Sequence, residues 1–213
     1  MPVQNKKEIT MSMGPGPVKE KAYIQNFINK YNKGIYPETI EGFAKITKSE
    51  IYKPGSNKLT KDQESLINNG IKTLKQLTGS SFDNILIIRN PKLVNQSTVA
   101  QMHPKYPGTI MISINHQFWN NAELRKKYLE QTSTGNPAHP FLHEEGHRKT
   151  KVKIKEWQGI DCAKAFFSLG VIAMQSPEEF CAEYYAAKVT NSIKDPARLK
   201  DAEALYNKYG GKA

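Results

Sequence analysis

The sequence predicts an α+β fold in which helices precede and follow one small mixed sheet. Apolar residues recur at helical spacing towards both ends of the 213-residue chain, whereas short apolar runs rich in β-branched residues cluster near its middle. Hydrophobic residues make up 38% of the sequence and charged residues 24%, which is enough apolar material for a core beneath a polar surface.

The amino-terminal part of the chain is predicted to be irregular at first and then helical. Residues 1–17 end in GPGP, which is typical of a flexible segment. Apolar residues at helical spacing predict one helix over 18–31 and another over 60–77, with Thr60 as the N-cap of the second. Residues 34–57 show no clear period, and KPGSN near their end indicates a loop.

Three short runs predict the strands of the sheet. FDNILIIRN (82–90) contains an apolar run, STVAQMH (97–103) is a weaker candidate, and GTIMISIN (108–115) alternates isoleucine with other residues. The GTIMISIN strand is either an edge that binds an extended peptide by strand addition or an inner strand whose isoleucines lie in the core.

The part of the chain that follows the sheet is predicted to be mostly helical. Apolar spacing predicts helices within the segments 116–131, 161–175, 176–193 and 197–209. The only two cysteines, Cys162 and Cys181, fall in these helices and form no C-x-x-C pair, so we expect them to be buried free thiols.

The stretch HPFLHEEGHRKT (139–150) contains the pattern H-E-x-x-H. Residues at i and i+4 of a helix lie on one face, so His143 and His147 can direct both imidazoles at one metal ion. Glu144 projects to an adjacent side, close enough to reach a water on that ion, which is the arrangement of zinc peptidases. The alternative is a polar turn of an ordinary helix, because so short a pattern also arises by chance.

Two further residues of this stretch bear on its helix. Pro140 suits the first helical position, where its missing N–H costs nothing. Gly146 weakens a helix by about 1 kcal/mol relative to alanine. A plain surface helix has no use for that glycine, whereas a helix pressed against a sheet or an ion does.

A catalytic zinc site takes three protein ligands, and the best third ligand lies in SPEEFCAEYYA. Glu179 is favoured over Glu178 because Glu183 lies four residues after it on the same face. A carboxylate at Glu183 can accept the second N–H of a metal-bound histidine and orient the ring. Ser176 and Glu179 also fit a capping box, which would explain Glu179 without a metal.

The two motifs together resemble the zinc peptidase domains of anthrax lethal factor, bacterial polymorphic toxins and phage-encoded proteins. In that family an H-E-x-G-H helix is followed by an E-F-x-A-E helix. The matching positions here are His143, Glu144, Gly146, His147, Glu179, Phe180, Ala182 and Glu183. The resemblance implies a zincin-like endopeptidase with Zn²⁺ held by His143, His147 and Glu179. It also implies Glu144 as the catalytic base and a protein or peptide as substrate.

The resemblance sets the expected domain organisation and leaves one catalytic group open. The resemblance extends over about residues 82–185 in layout, and we expect a zincin-like domain over 80–213, preceded by a flexible lead-in and helical segment over 1–79. The family carries a tyrosine shortly before its glutamate ligand that assists the oxyanion, but the corresponding GVIAMQ has none. Tyr184, Tyr185 and His139 are therefore the candidate oxyanion donors.

The composition also permits other functions. The net charge of +11 favours anionic partners, either nucleic acid or another anionic surface, or it reflects an ordinary solvated surface. A basic nucleic-acid-associated protein or DNA-tethered protease is one alternative, although the basic residues are dispersed and show no RNA-binding motif. A catalytically inactive interaction protein with a zincin fold is another, although the intact Glu144 argues against it.

The sequence predicts neither a membrane span nor a signal peptide for general secretion. No apolar run approaches the ~18 residues of a membrane span. The start, MPVQNKKEIT, lacks the apolar core of a signal peptide. We therefore expect a cytoplasmic protein or an effector of the toxin type that a specialised secretion system delivers.

Overall fold

The computed structural model describes the residues 26, 29–30, 33–34, 36–94, 97–106, 108–153 and 156–210. The chain divides into two units, 1–37 and 38–213, and every element named below belongs to the second. The predicted lead-in over 1–17 and nearly all of the predicted helix over 18–31 lie outside the described residues.

The fold is α+β, with eight helices and one mixed four-stranded sheet in the described residues of the second unit. In chain order the elements are α1 (Ile40–Thr47), β1 (Glu50–Ile51), α2 (Lys61–Thr78), β2 (Asn84–Ile88), β3 (Ala100–Met102), β4 (Thr109–Ser113), α3 (Gln117–Asn120), α4 (Ala122–Leu129), α5 (His139–Lys149), α6 (Gly159–Leu169), α7 (Pro177–Thr190) and α8 (Pro196–Tyr209). None of these helices is long and apolar enough to cross a membrane.

The strand order is β1-β2-β4-β3, with β2 and β4 parallel in the centre and the two outer strands antiparallel to them. All five residues of β4 are buried, and the three central ones are apolar, as expected of an inner strand covered on both faces. The inner-strand interpretation of GTIMISIN is therefore correct. The edge beside the histidine helix is β3, which the sequence predicted only weakly.

The main core lies between the sheet and helices α2 and α5. Ile67 of α2, Ile110 of β4 and Phe141 of α5 are all fully buried in one apolar cluster. The predicted N-cap of α2 is confirmed: Thr60 and Gln63 form a reciprocal capping box. Because α2 packs against α5 and β1 pairs with β2, residues 38–79 belong to the same unit as the sheet, and the predicted boundary after residue 79 does not separate two units.

The predicted helix over 116–131 is in fact two helices. Asn121 ends α3 in an extended conformation and begins α4, where its side-chain oxygen accepts a hydrogen bond from the N–H of Leu124. Asn120 donates to the carbonyl of Ile114, which fixes the short α3 against the end of β4. The break arises because asparagine side chains bond the backbone more readily outside helices than within them.

The carboxyl-terminal helices form a second apolar cluster. The helix predicted over 161–175 ends early, at Leu169, because Gly170 adopts a left-handed φ of +100°. Helices α7 and α8 agree with prediction, and Phe180, Tyr184 and Tyr209 lie in the cluster between them and α6. Both cysteines are free, but only Cys181 is buried; Cys162 is half-buried.

Candidate metal centre

Helix α5 carries the H-E-x-x-H pattern between the edge strand β3 and helix α7. Pro140 is its second residue, one place later than predicted, and the helix has no side-chain N-cap. Gly146 lies at the crossing with α7, where a Cβ atom would come 2.7 Å from the Cα and carbonyl oxygen of Ala182. The glycine therefore lets the two helices touch at the backbone; the close contact is with a helix and not with the sheet or ion that the sequence analysis expected.

Three side chains from α5 and α7 converge on one point. The Nε2 atoms of His143 and His147 are 3.0 Å apart. The Glu179 carboxylate places one oxygen 3.0 Å from His143 Nε2 and the other 3.6 Å from His147 Nε2. The structure thus brings together the three predicted metal ligands from two helices that are distant in sequence.

These three groups fit a zinc ion by chemistry and by spacing. Two imidazole nitrogens and one carboxylate form a donor set of catalytic zinc sites. Ligand atoms about 2.0–2.1 Å from a tetrahedral ion are about 3.3 Å from one another. The observed separations of 3.0, 3.0 and 3.6 Å bracket that value. A small movement of the side chains would complete the site.

Glu179 serves the helix cap and the site at the same time. Its backbone N–H donates to Ser176 Oγ at 3.2 Å, as the capping alternative requires. Its carboxylate, however, points at the two histidines instead of returning to the N-cap. The capping interaction therefore uses only the backbone N–H of Glu179, and the side chain remains available to bind a metal.

Glu183 occupies the position predicted for a carboxylate that orients a ligand. It is fully buried, and its Oε1 lies 2.7 Å from His143 Nδ1 and 2.8 Å from His139 Nε2. Its other oxygen accepts a hydrogen bond from the backbone N–H of Ser133. Burial by itself would raise the pKa of Glu183, but the two histidines bring it below the ordinary range. The carboxylate therefore stays charged and fixes the His143 ring.

Two groups of described side chains lie close enough together to hold a metal: the first is His143, Glu144 and His147, and the second is His139, His143 and Glu183, all of them buried. The second group uses the Nδ1 side of His143, whereas the first group uses the Nε2 side. Because its members are enclosed, this second group offers no open position for a substrate. The first group, together with Glu179, borders a cavity, so we take it as the candidate centre.

The surroundings of the two histidines shift their pKa values in opposite directions. Burial would lower the pKa of His143, but hydrogen bonds to Glu179 and Glu183 raise it well above its ordinary value. Burial and the charge of His143 lower the pKa of His147 to about 4. His147 is thus already neutral, as a ligand must be, whereas a metal ion has to displace a proton from His143.

Glu144 is buried beside these ligands and is tied to the edge strand. Its Oε2 accepts a hydrogen bond of 2.7 Å from the backbone N–H of Met102 in β3. Burial raises its pKa to about 7, against the lowering effects of His143 and of that N–H. A carboxyl group with a pKa near neutrality can take up and release a proton efficiently at physiological pH.

The site opens into a cavity of about 720 Å³, which we call the metal cleft. Its walls are the edge strand β3 with residues 97–99 before it, helix α5, and residues 171, 172 and 175 after α6. His143, Glu144, His147 and Glu179 all line it. The cleft is therefore large enough for a segment of peptide, and its chemistry lies at one wall.

None of the three predicted oxyanion donors is placed to act in the metal cleft. Tyr184 lies in the carboxyl-terminal cluster, with its ring stacked 4.6 Å from Tyr206. Tyr185 lies near Thr78 of α2 and Glu145 of α5 and does not line the cleft. His139 is 1% exposed and is held by Glu183, so substrate cannot reach it.

The residue that the sequence analysis missed is Tyr128 of α4, which lines the metal cleft. Its ring is held edge-on by Phe118, His116 and His139 at centroid distances of 5.3, 6.2 and 6.4 Å. Within the part of the chain that the structure describes, its hydroxyl has no hydrogen-bond partner. Burial, together with nearby carboxylates, raises its pKa, so the group remains an O–H donor. Nothing in the local sequence distinguishes this tyrosine, because only the packing of α4 brings it to the cleft.

Comparisons with protein-family models, curated proteins and solved structures find no match to this chain.

Proposed function

We propose that this protein is a zinc-dependent endopeptidase with a zincin-like active site, and that it hydrolyses a protein substrate in the metal cleft. The observation that supports this most strongly is the convergence of His143, His147 and Glu179 beside the buried Glu144. The resemblance of the two motifs to lethal factor-like domains favours an effector or toxin-type protease.

Each residue of the proposed site has a separate role in hydrolysis. Zinc bound by the three ligands would polarise the scissile carbonyl and lower the pKa of a water to about 7. Glu144 is the group that would take the proton from the attacking water and pass it to the leaving amine. Tyr128 donates a hydrogen bond to the oxyanion that develops on the carbonyl oxygen. Glu183 holds His143 in its binding orientation throughout.

The edge strand β3 is the proposed docking site for the substrate backbone. It borders the metal cleft, and its outer side pairs with no described strand. An extended peptide binds such an edge through backbone hydrogen bonds, which places successive residues along the cleft. Peptide binding by strand addition, which the sequence analysis considered for GTIMISIN, is therefore assigned to β3, because β4 is enclosed between β2 and β3.

The deciding experiment combines metal analysis with a peptide-library cleavage assay of the zinc-loaded protein. Glu144→Gln should retain zinc and fold while its turnover falls by about 10²–10⁴-fold, because the proton acceptor is lost. Wild-type protein should bind about one equivalent of zinc and cleave library peptides. If Glu144→Gln cleaves as fast as the parent, the proposed function is abandoned.

A further inference from the structure

The exposed apolar side chains of the second unit are concentrated in one segment. Seven large hydrophobic residues are exposed among the described residues, and five of them lie between positions 160 and 174. These five are Ile160, Phe166, Phe167, Val171 and Met174. Exposed apolar side chains indicate a binding surface where they are contiguous, so we ask which of the five line a common cavity.

Part of this segment borders a second cavity, of about 620 Å³, which we call the Phe167 cavity. One wall is apolar and comes from α6 and the turn after it, where the rings of Phe166 and Phe167 are 5.4 Å apart. The rest of the lining comes from residues 130–133, residues 192–195 and Arg198, and most of it is polar. A cavity lined by both apolar and polar groups suits a side chain whose backbone remains partly in solvent.

The Phe167 cavity adjoins the metal cleft. Gln131 and Val171 line both cavities. Between them, Gly170 fixes the approach of the two chain segments, since a Cβ atom there would lie 2.8 Å from the carbonyl oxygen of Gln131. A peptide that lies in the metal cleft is therefore next to the Phe167 cavity, with Gln131 and Val171 at the junction.

We propose that the Phe167 cavity is a substrate subsite that accepts a large apolar side chain, of the leucine or phenylalanine class, from the peptide bound at the metal centre. This assignment rests on the proposed function, because the metal cleft supplies the position of the peptide backbone. The exposed phenylalanines then account for the substrate preference of the enzyme. Their exposure in the free protein is offset when the substrate side chain covers them.

Ile160 provides a matched control on the same helix. It is 67% exposed and Phe167 is 66% exposed, but Ile160 does not line the cavity. Both changes to alanine remove exposed apolar atoms, so neither should unfold the protein. Any effect specific to Phe167 therefore reports on the cavity and not on surface apolarity in general.

The test measures binding of fluorescent peptides to the zinc-loaded Glu144→Gln protein, which separates binding from hydrolysis. The peptides carry leucine, phenylalanine or serine at one position at a time on either side of a fixed scissile pair. At one position, the apolar peptides should bind about tenfold more tightly than the serine peptide. Phe167→Ala should abolish that preference, and Ile160→Ala should leave it unchanged within about twofold.

Three results would overturn the subsite. They are equal binding of apolar and serine peptides at every position, an equal loss in both alanine variants, and an unchanged preference in Phe167→Ala. Binding to anionic phospholipid vesicles that both alanine variants weaken would assign the apolar segment to a lipid surface instead. A wild-type protein that shows the predicted preference but cleaves none of the bound peptides would refute the peptidase while leaving the subsite intact.

Discussion

At the scale of single residues, Glu179 shows how one position serves both helix and site. Its N–H bonds Ser176 at the start of α7, and its carboxylate reaches both histidines of α5. The neighbouring Glu178 has the same chemistry without these ion pairs, so it is a natural control for the metal role of Glu179.

We expect Glu179→Ala to lose zinc and Glu178→Ala to retain it. Removing one of three protein ligands leaves two imidazoles, which hold zinc far more weakly. The N-cap is unaffected, since Ser176 bonds the backbone and not the side chain of Glu179. The zinc content of each variant is measured after gel filtration. Full zinc occupancy in Glu179→Ala would show that Glu179 is not a metal ligand.

Tyr128 gives the second prediction at this scale. We expect Tyr128→Phe to lower kcat by about 10²–10³-fold, because an oxyanion donor acts mainly in the transition state. The KM for a peptide and the zinc content should change little. Tyr184→Phe, in the carboxyl-terminal cluster, removes the same atom outside the metal cleft and should leave kcat unaltered. A kcat of Tyr128→Phe equal to that of wild type would leave the oxyanion without an assigned donor.

At the scale of elements, the crossing of α5 and α7 determines the geometry of the site. The histidines and Glu179 meet across this crossing, where Gly146 allows close contact with Ala182. A Cβ atom at Gly146 would face the backbone of α7, which cannot rotate away as a flexible side chain can. The glycine therefore sets the distance between the ligands.

We expect Gly146→Ala to lower the free energy of unfolding by about 1–3 kcal/mol through overpacking. This loss should outweigh the gain of about 1 kcal/mol in helix propensity. Gly159→Ala is the control, because no atom lies within 4 Å of a Cβ atom at the start of α6. Urea unfolding compares the two variants, and zinc affinity should fall only in Gly146→Ala. Equal stability of both variants would show that the α5–α7 crossing accommodates the added Cβ atom without strain.

The sequence predicted those elements and residues whose signals are local. Periodicity and capping located α2, α7 and α8, and the helical i,i+4 rule paired His143 with His147. Residues 34–57 contain α1 and β1, but they show no apolar periodicity, because these elements are too short to produce one. Tyr128 could not be found, because its role depends on α4 packing beside α5. Asn121 is a recognisable N-cap residue, but the apolar spacing predicted a single helix across it.

At the scale of the whole molecule, the candidate centre links the sheet side of the protein to its carboxyl-terminal half. Helix α5 packs against α2 and β3, whereas α7 packs against α6 and α8. A metal ion bound by ligands from both helices would therefore join two apolar clusters across one crossing. Binding that favours the folded state stabilises it according to the ligand concentration and affinity.

We therefore expect a chelator to lower the melting temperature of the zinc-loaded protein. At zinc concentrations about 100 times Kd the stabilisation is about 2.7 kcal/mol, which corresponds to a shift of about 5–10 °C for a chain of this size. Glu179→Ala should melt at one temperature with or without chelator, because it has no ion to lose. Melting is followed by circular dichroism at constant zinc and protein concentrations. A wild-type melting temperature indifferent to both zinc and chelator would mean that the α5–α7 crossing holds no metal.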